Sequence, residues 1–150
     1  MPDLLDTYIE NRKRVQPTDA NNYGTVHGGN VCKWMDEIGA LSAMRFAGQT
    51  CVTASINQMN FEQPIPVGAT AVIRSYVYDA GRTSVKARIE AFREEPRTGE
   101  RKKTTESYFV FVAVDAEGKP VEVPDLTTNT ERAKMLEKKG LKGQSDSEQN

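Results

Sequence analysis

An α+β fold, with an antiparallel sheet curled around one long central helix, is predicted by three observations on this 150-residue chain. The stretch 30–47 (NVCKWMDEIGALSAMRFA) places apolar residues on most sides of a helix, which marks it for burial. From residue 51 onward the apolar period changes from 3.6 to 2, and four strand-like segments follow. One helix cannot cover both faces of a wide sheet, so a sheet wrapped around that helix is the simplest closure.

The elements follow in order. A strand is expected near 12–16. Residues 18–29 (TDANNYGTVHGG) are rich in Asp, Asn and Gly, which is loop chemistry. Asn30 reads as the helix N-cap and Gly48 as its stop. Val31, Met35, Ile38 and Ser42 form one stripe along the helix, with Trp34 and Leu41 beside it. Strands are expected at 51–61, 70–79, 84–93 and 104–115, the last rich in β-branched and aromatic residues. The segment 63–68 (QPIPVG) breaks the pattern after the first of these, and 80–82 and 95–102 are turns. A short amphipathic helix is expected at 130–139. Residues 140–150 (GLKGQSDSEQN) read as a disordered polar tail, so a single domain spans 1–139.

Composition narrows the function. Twenty Lys and Arg against 21 Asp and Glu leave a net charge of −1, so no basic field draws in nucleic acid. Two cysteines, Cys32 and Cys51, make neither a disulfide framework nor a Cys-rich zinc site. His27 is the only histidine, and no G-x-S-x-G elbow accompanies it, so a serine triad is not expected. No run of 18 apolar residues predicts membrane insertion, and no basic-then-apolar leader is visible. A cytoplasmic setting is the expectation.

Four features carry possible chemistry. Asp36 lies within the apolar helix, where an unpaired carboxylate is costly. It is either satisfied locally or held for function. Its neighbour Glu37 pairs by spacing with Lys33 and points to solvent. Gly28 and Gly29 open the helix, and their amides suit either a tight turn or a developing oxyanion. Asn21 suits turn chemistry, or the orientation of water or a carbonyl. Gly81, Arg82, Thr83 and Ser84 read as a hairpin turn whose guanidinium and hydroxyls could also hold phosphate.

The order Asp19-Ala20-Asn21, Val26-His27-Gly28-Gly29, Trp34-Met35-Asp36-Glu37 resembles a known family. So do Asn57-Gln58-Met59-Asn60-Phe61, Pro64-Ile65-Pro66-Val67-Gly68 and Gly81-Arg82-Thr83-Ser84. The chain resembles the hotdog-fold acyl-CoA thioesterases, in the branch of YciA-type and cytosolic (brain-type) acyl-CoA hydrolases. The resemblance implies hydrolysis of fatty acyl-CoA to free acid and CoA, with no metal and no cofactor beyond the CoA of the substrate. It implies a homodimer built into a trimer of dimers, with Asn21 of one subunit facing Asp36 of another. Asp36 would be general base or nucleophile, and Gly28 and Gly29 would hold the oxyanion. His27, Asn57, Gly81, Arg82, Thr83 and Ser84 would bind substrate or CoA, and the acyl chain would run along the helix at the subunit interface. The alternatives are a non-catalytic acyl-CoA sensor and an enoyl-thioester hydratase using His27.

Overall fold

A computed structural model of the chain describes residues 1–148. The strands are β1 (Ile9–Arg14), β2 (Thr50–Ile56), β3 (Thr70–Ala80), β4 (Ser84–Glu94) and β5 (Arg101–Val114). The helices are α1 (Gly28–Ala47) and α2 (Glu131–Glu148). All five strands form one antiparallel sheet in the order β1-β3-β4-β5-β2. The sheet curls around α1, which is the hotdog architecture, and α2 lies on the opposite face.

Alternation along the strands decides which side chains meet α1. Ile73 and Val77 of β3, Val85 and Ile89 of β4, and Phe109 and Phe111 of β5 all turn inward. They enclose Val31, Met35, Ile38, Ala43 and Phe46 of α1. The expected stripe of α1 is buried throughout, Ser42 included. Its flank is not: Leu41 is 48% exposed. Gly48 ends the helix with φ +66°, a conformation suited to glycine.

The structure departs from the sequence expectation in four places. α1 begins two residues early, with His27 at the cap position and Asn30 inside the first turn. Asn30 instead uses its amide to hold the Asp19 carbonyl at 3.0 Å, tying the preceding loop to the helix. β1 lies over Ile9–Arg14 rather than 12–16, because an edge strand can stay polar and shows no alternation. β2 ends at Ile56 and pairs with β5 rather than β3, so the four later strands are not a simple meander. The irregular stretch 57–69, with its two prolines, carries the chain across the sheet instead.

The fourth departure is the tail. Residues 140–148 continue α2 rather than forming a disordered extension, while Gln149 and Asn150 lie outside the described residues. The glycines that suggest a break are contact points. A methyl at Gly140 would overlap the Tyr78 ring, and one at Gly143 would overlap Tyr108. Tyr78 hydrogen-bonds Gln144, and Tyr76 donates to the Leu136 carbonyl at 2.9 Å. Thr130 starts the helix by accepting from the Ala133 amide at 3.1 Å.

Outer-facing charges beside α2 form a ladder across β3, β4 and β5. Glu90, only 4% exposed, meets Arg74 at 2.8 Å, Arg88 at 3.1 Å and Lys103 at 3.2 Å. Arg88 in turn holds Glu106 at 2.8 Å. Burial disfavours the charged form of Glu90, but the Arg74 hydrogen bond and the charges of Arg88 and Lys103 outweigh it. Its carboxyl is therefore held below the usual range. A depressed folded-state pKa stabilises above the unfolded value near 4.5, and that stability is lost as pH falls through the folded value. Glu90→Gln leaves Arg74 without a carboxylate partner, while Arg88 and Lys103 keep Glu106, and is expected to cost about 3–5 kcal/mol near neutral pH. In urea titrations the gap to the natural protein should narrow below pH 4.5; a gap independent of pH would refute this account.

Candidate functional site

The loop before α1 and the first turn of α1 form one half of the site. Asn21 Oδ1 accepts from the amides of Tyr23 at 2.9 Å and Thr25 at 3.2 Å, and its Nδ2 donates to Thr25 Oγ1 at 3.1 Å. Turn chemistry is thus real for Asn21, and it leaves the second Nδ2 hydrogen available. Asn22 is exposed. His27 sits exposed at the cap position without a capping side-chain bond. Its carbonyl accepts from the amides of Asn30 and Val31 at 2.9 and 3.2 Å. Gly28 and Gly29 are exposed residues that precede those bonds, and their amides are two of the donors that any helix start leaves unpaired. They lie at the positive end of the 20-residue α1 dipole, so a developing negative charge is favoured there.

Asp36 forms the other half. It is half-buried rather than enclosed, and Thr53 Oγ1 of β2 donates to its Oδ1 at 2.6 Å. Glu37, the adjacent acid, is exposed and 3.9 Å from Lys33, as the spacing predicts. Thr53 is missed by sequence reasoning as the partner of Asp36. It pairs with Phe111, whose side chain faces α1, so Thr53 is aimed at the helix as well. The apolar Val52, Ala54 and Ile56 hide that signal, since they read as the inward set of β2. A bulge at Ala54 breaks the alternation, and Val52 and Ile56 are 48% and 43% exposed.

Gly81, Arg82, Thr83 and Ser84 make the β3–β4 turn, closed by the Gly81 amide on the Ser84 carbonyl at 2.9 Å. Arg82 is exposed, with Glu122 at 3.9 Å. This turn lies at the same end of the sheet as Thr53, because Val85 pairs with Phe111 and Phe111 with Thr53. Asn57 is held apart from it. Its amide nitrogen reaches Ser147 of α2 at 3.5 Å, and its backbone bonds Tyr108 and Ser107.

One chain does not bring the two halves together. Asp36 lies eight positions after Gly28 along the helix, about 12 Å along the axis. Beside Asp36 and Thr53, β2 is an unpaired sheet edge carrying exposed Val52 and Ile56, with Leu41 of α1 nearby in sequence to the same helix segment. Among the described residues, no cluster of three His, Cys, Asp or Glu is placed to hold a metal, and no helix is long and apolar enough to cross a membrane.

An antiparallel sheet curled on one long helix, whose first turn offers free amides and which carries an acid two turns on, is a hotdog domain. Residues 23–100 match the thioesterase superfamily model. A Bacillus subtilis (strain 168) protein named uncharacterized acyl-CoA thioester hydrolase YkhA is 35% identical over 131 residues, covering 87% of this chain and 76% of its own. A solved hexameric acyl-CoA thioesterase in its apo form superposes with TM-score 0.87 at 34% identity, over 99% of this chain and 95% of that one. An acyl-CoA hydrolase from Staphylococcus aureus, solved with butyryl-CoA, CoA and CoA disulfide, superposes at 0.86 with 28% identity, over 94% and 86%. That enzyme was also solved as single alanine variants of an asparagine, an aspartate and a threonine. The chain belongs to the thioesterase superfamily.

Cys51 lies two residues from Thr53, and burial pushes its thiol up to about 11. Cys32, in α1, is half-buried. In the native protein at pH 8, a thiol-reactive disulfide reagent should therefore modify Cys32 alone, and Cys51 only after unfolding. Two fast-reacting thiols would show that β2 opens in the native state.

Proposed function

We propose that this chain hydrolyses acyl-CoA thioesters at sites completed by a second copy of itself. The observation that carries the reading is the split site. Free amides and Asn21 stand at one end of α1, and a Thr53–Asp36 pair stands about 12 Å further along it. A two-fold axis beside β2 would run the two α1 helices antiparallel, facing the Gly28 end of one with Asp36 of the other. It would also pair the open β2 edges and cover Leu41, Val52 and Ile56.

The Staphylococcus aureus variant structures support the same residues. The asparagine, aspartate and threonine replaced there are separated by 15 and then 17 residues, as are Asn21, Asp36 and Thr53 here. The hexameric relative supports a trimer of such dimers.

The chemistry follows from these placements. The thioester carbonyl oxygen sits on the Gly28 and Gly29 amides, which stabilise the charge it acquires. Asp36, oriented by Thr53, takes a proton from water; the water oxygen bonds to the carbonyl carbon, and Asn21 of the partner chain holds water or carbonyl in line. The carbon–sulfur bond then breaks, and the proton passes from Asp36 to the CoA sulfur. Arg82, with Thr83 and Ser84, offers donors to the CoA phosphates, and His27 lines the entrance. Nothing in this sequence of steps calls for a metal or a further cofactor. The free thiols Cys32 and Cys51 suit a reducing cytoplasm.

Release of free CoA from acyl-CoAs of rising chain length tests this. Asp36→Ala should lower kcat by about 10²–10⁴-fold. Thr53→Ala should lose activity that Thr53→Ser retains. Asn21→Ala and Asp36→Ala chains refolded together should recover about a quarter of natural activity, because half the dimers are mixed and each mixed dimer holds one intact site. No recovery, with each variant folded and dimeric, would mean the site lies within one chain. Acyl-CoA binding without CoA release would replace the hydrolase reading with a sensor, and loss of activity in His27→Ala but not Asp36→Ala would favour a hydratase.

A further inference from the structure

The segment 61–65 crosses the start of α1 and leaves a cavity of about 280 Å³ beneath it. Val26, Val31 and Ile65, all buried, form its floor, and Phe61 and Pro64 form its wall. The one buried hydroxyl on its lining, Thr104, is already spent on the Ala91 carbonyl at 3.0 Å. Gln63 and the Gly28 backbone are its other polar lining, so what the cavity offers a ligand is mostly apolar contact.

Phe61 is unusual in this setting. It is 49% exposed, yet its ring comes within 3.3 Å of where a Gly28 side chain would begin. A large apolar side chain is thus laid over the helix start, directly beside the amides assigned to the oxyanion. A thioester seated on those amides has two arms. The CoA arm ends in phosphates that cannot be buried without loss of hydration. The acyl arm is the one an apolar cavity favours.

We infer that this cavity receives the acyl chain and that Phe61 sets the length it accepts, an inference that rests on the hydrolase reading above. The space equals that of about nine waters. That is just under the range of about 300–1,000 Å³ usual for sites enclosing larger ligands, so it fits short and medium chains rather than long ones.

Profiles of kcat/KM against acyl length, from acetyl- to palmitoyl-CoA, test the assignment. Phe61→Ala removes the wall and should move the optimum to longer chains, by about fourfold in relative kcat/KM for each methylene newly buried. Val31→Met raises the floor and should move it to shorter ones. A circular-dichroism melt confirms that each variant folds. An unchanged profile in Phe61→Ala would place the acyl chain elsewhere. An equal loss at every length would set the pantetheine arm, not the acyl chain, against Phe61. Calorimetric binding of the same acyl-CoAs separates the two readings. If natural protein releases no CoA but Phe61→Ala still shifts the chain-length order of binding, the hydrolase reading fails and this one stands.

Discussion

Gly39 lets α1 lie directly on the sheet. A methyl there would overlap the Ile89 Cδ1 and meet the Phe111 ring at 3.1 Å, so any larger residue would lift the helix from β4 and β5. Overpacking of that kind costs about 1–3 kcal/mol, but the geometric consequence matters more. Asp36 is one turn before Gly39, and it reaches Thr53 only because the helix sits this low on the sheet. The depth of α1 also sets where its first turn emerges, and hence where the Gly28 and Gly29 amides point. Core packing and site geometry are one constraint in this fold.

The two faces of the sheet solve different problems. The inner face is apolar and clasps α1, so it is held by shape. The outer face carries Arg74, Arg88, Lys103, Glu90 and Glu106 between strands, with three tyrosines beneath α2. Buried charges contribute little net stability against an apolar alternative, but each is costly to strand. That arrangement admits few alternative strand registers, because a slip would leave Glu90 without its cations.

Local pattern was a good guide where a residue's neighbours in sequence decide its fate. The α1 stripe, the strand period of β3 and β4, and the Lys33–Glu37 pair are all such cases. It failed where a partner distant in the chain decides. Gly140 and Gly143 look like helix breakers until Tyr78 and Tyr108 are seen beneath them. Thr53 looks like the outward residue of an alternating strand until the bulge at Ala54 is known. Family resemblance put Asn21 and Asp36 forward as partners in one site, and a single chain keeps them apart. Phe61 was visible only as part of a motif, and its position over Gly28 depends on the path of the irregular 57–69 stretch.

The order of elements along the chain has a cost during synthesis. α1 is complete at Ala47, but the strands that cover it end at Val114. At a typical elongation rate of 5–20 residues per second, its apolar sides wait about 3–13 s for their cover. β1 and β2 wait likewise, since their partners β3 and β5 are made later. For that interval the nascent chain presents a sticky helix and two unpaired strands, which makes the ribosome exit, rather than the finished molecule, the place where this fold is most vulnerable.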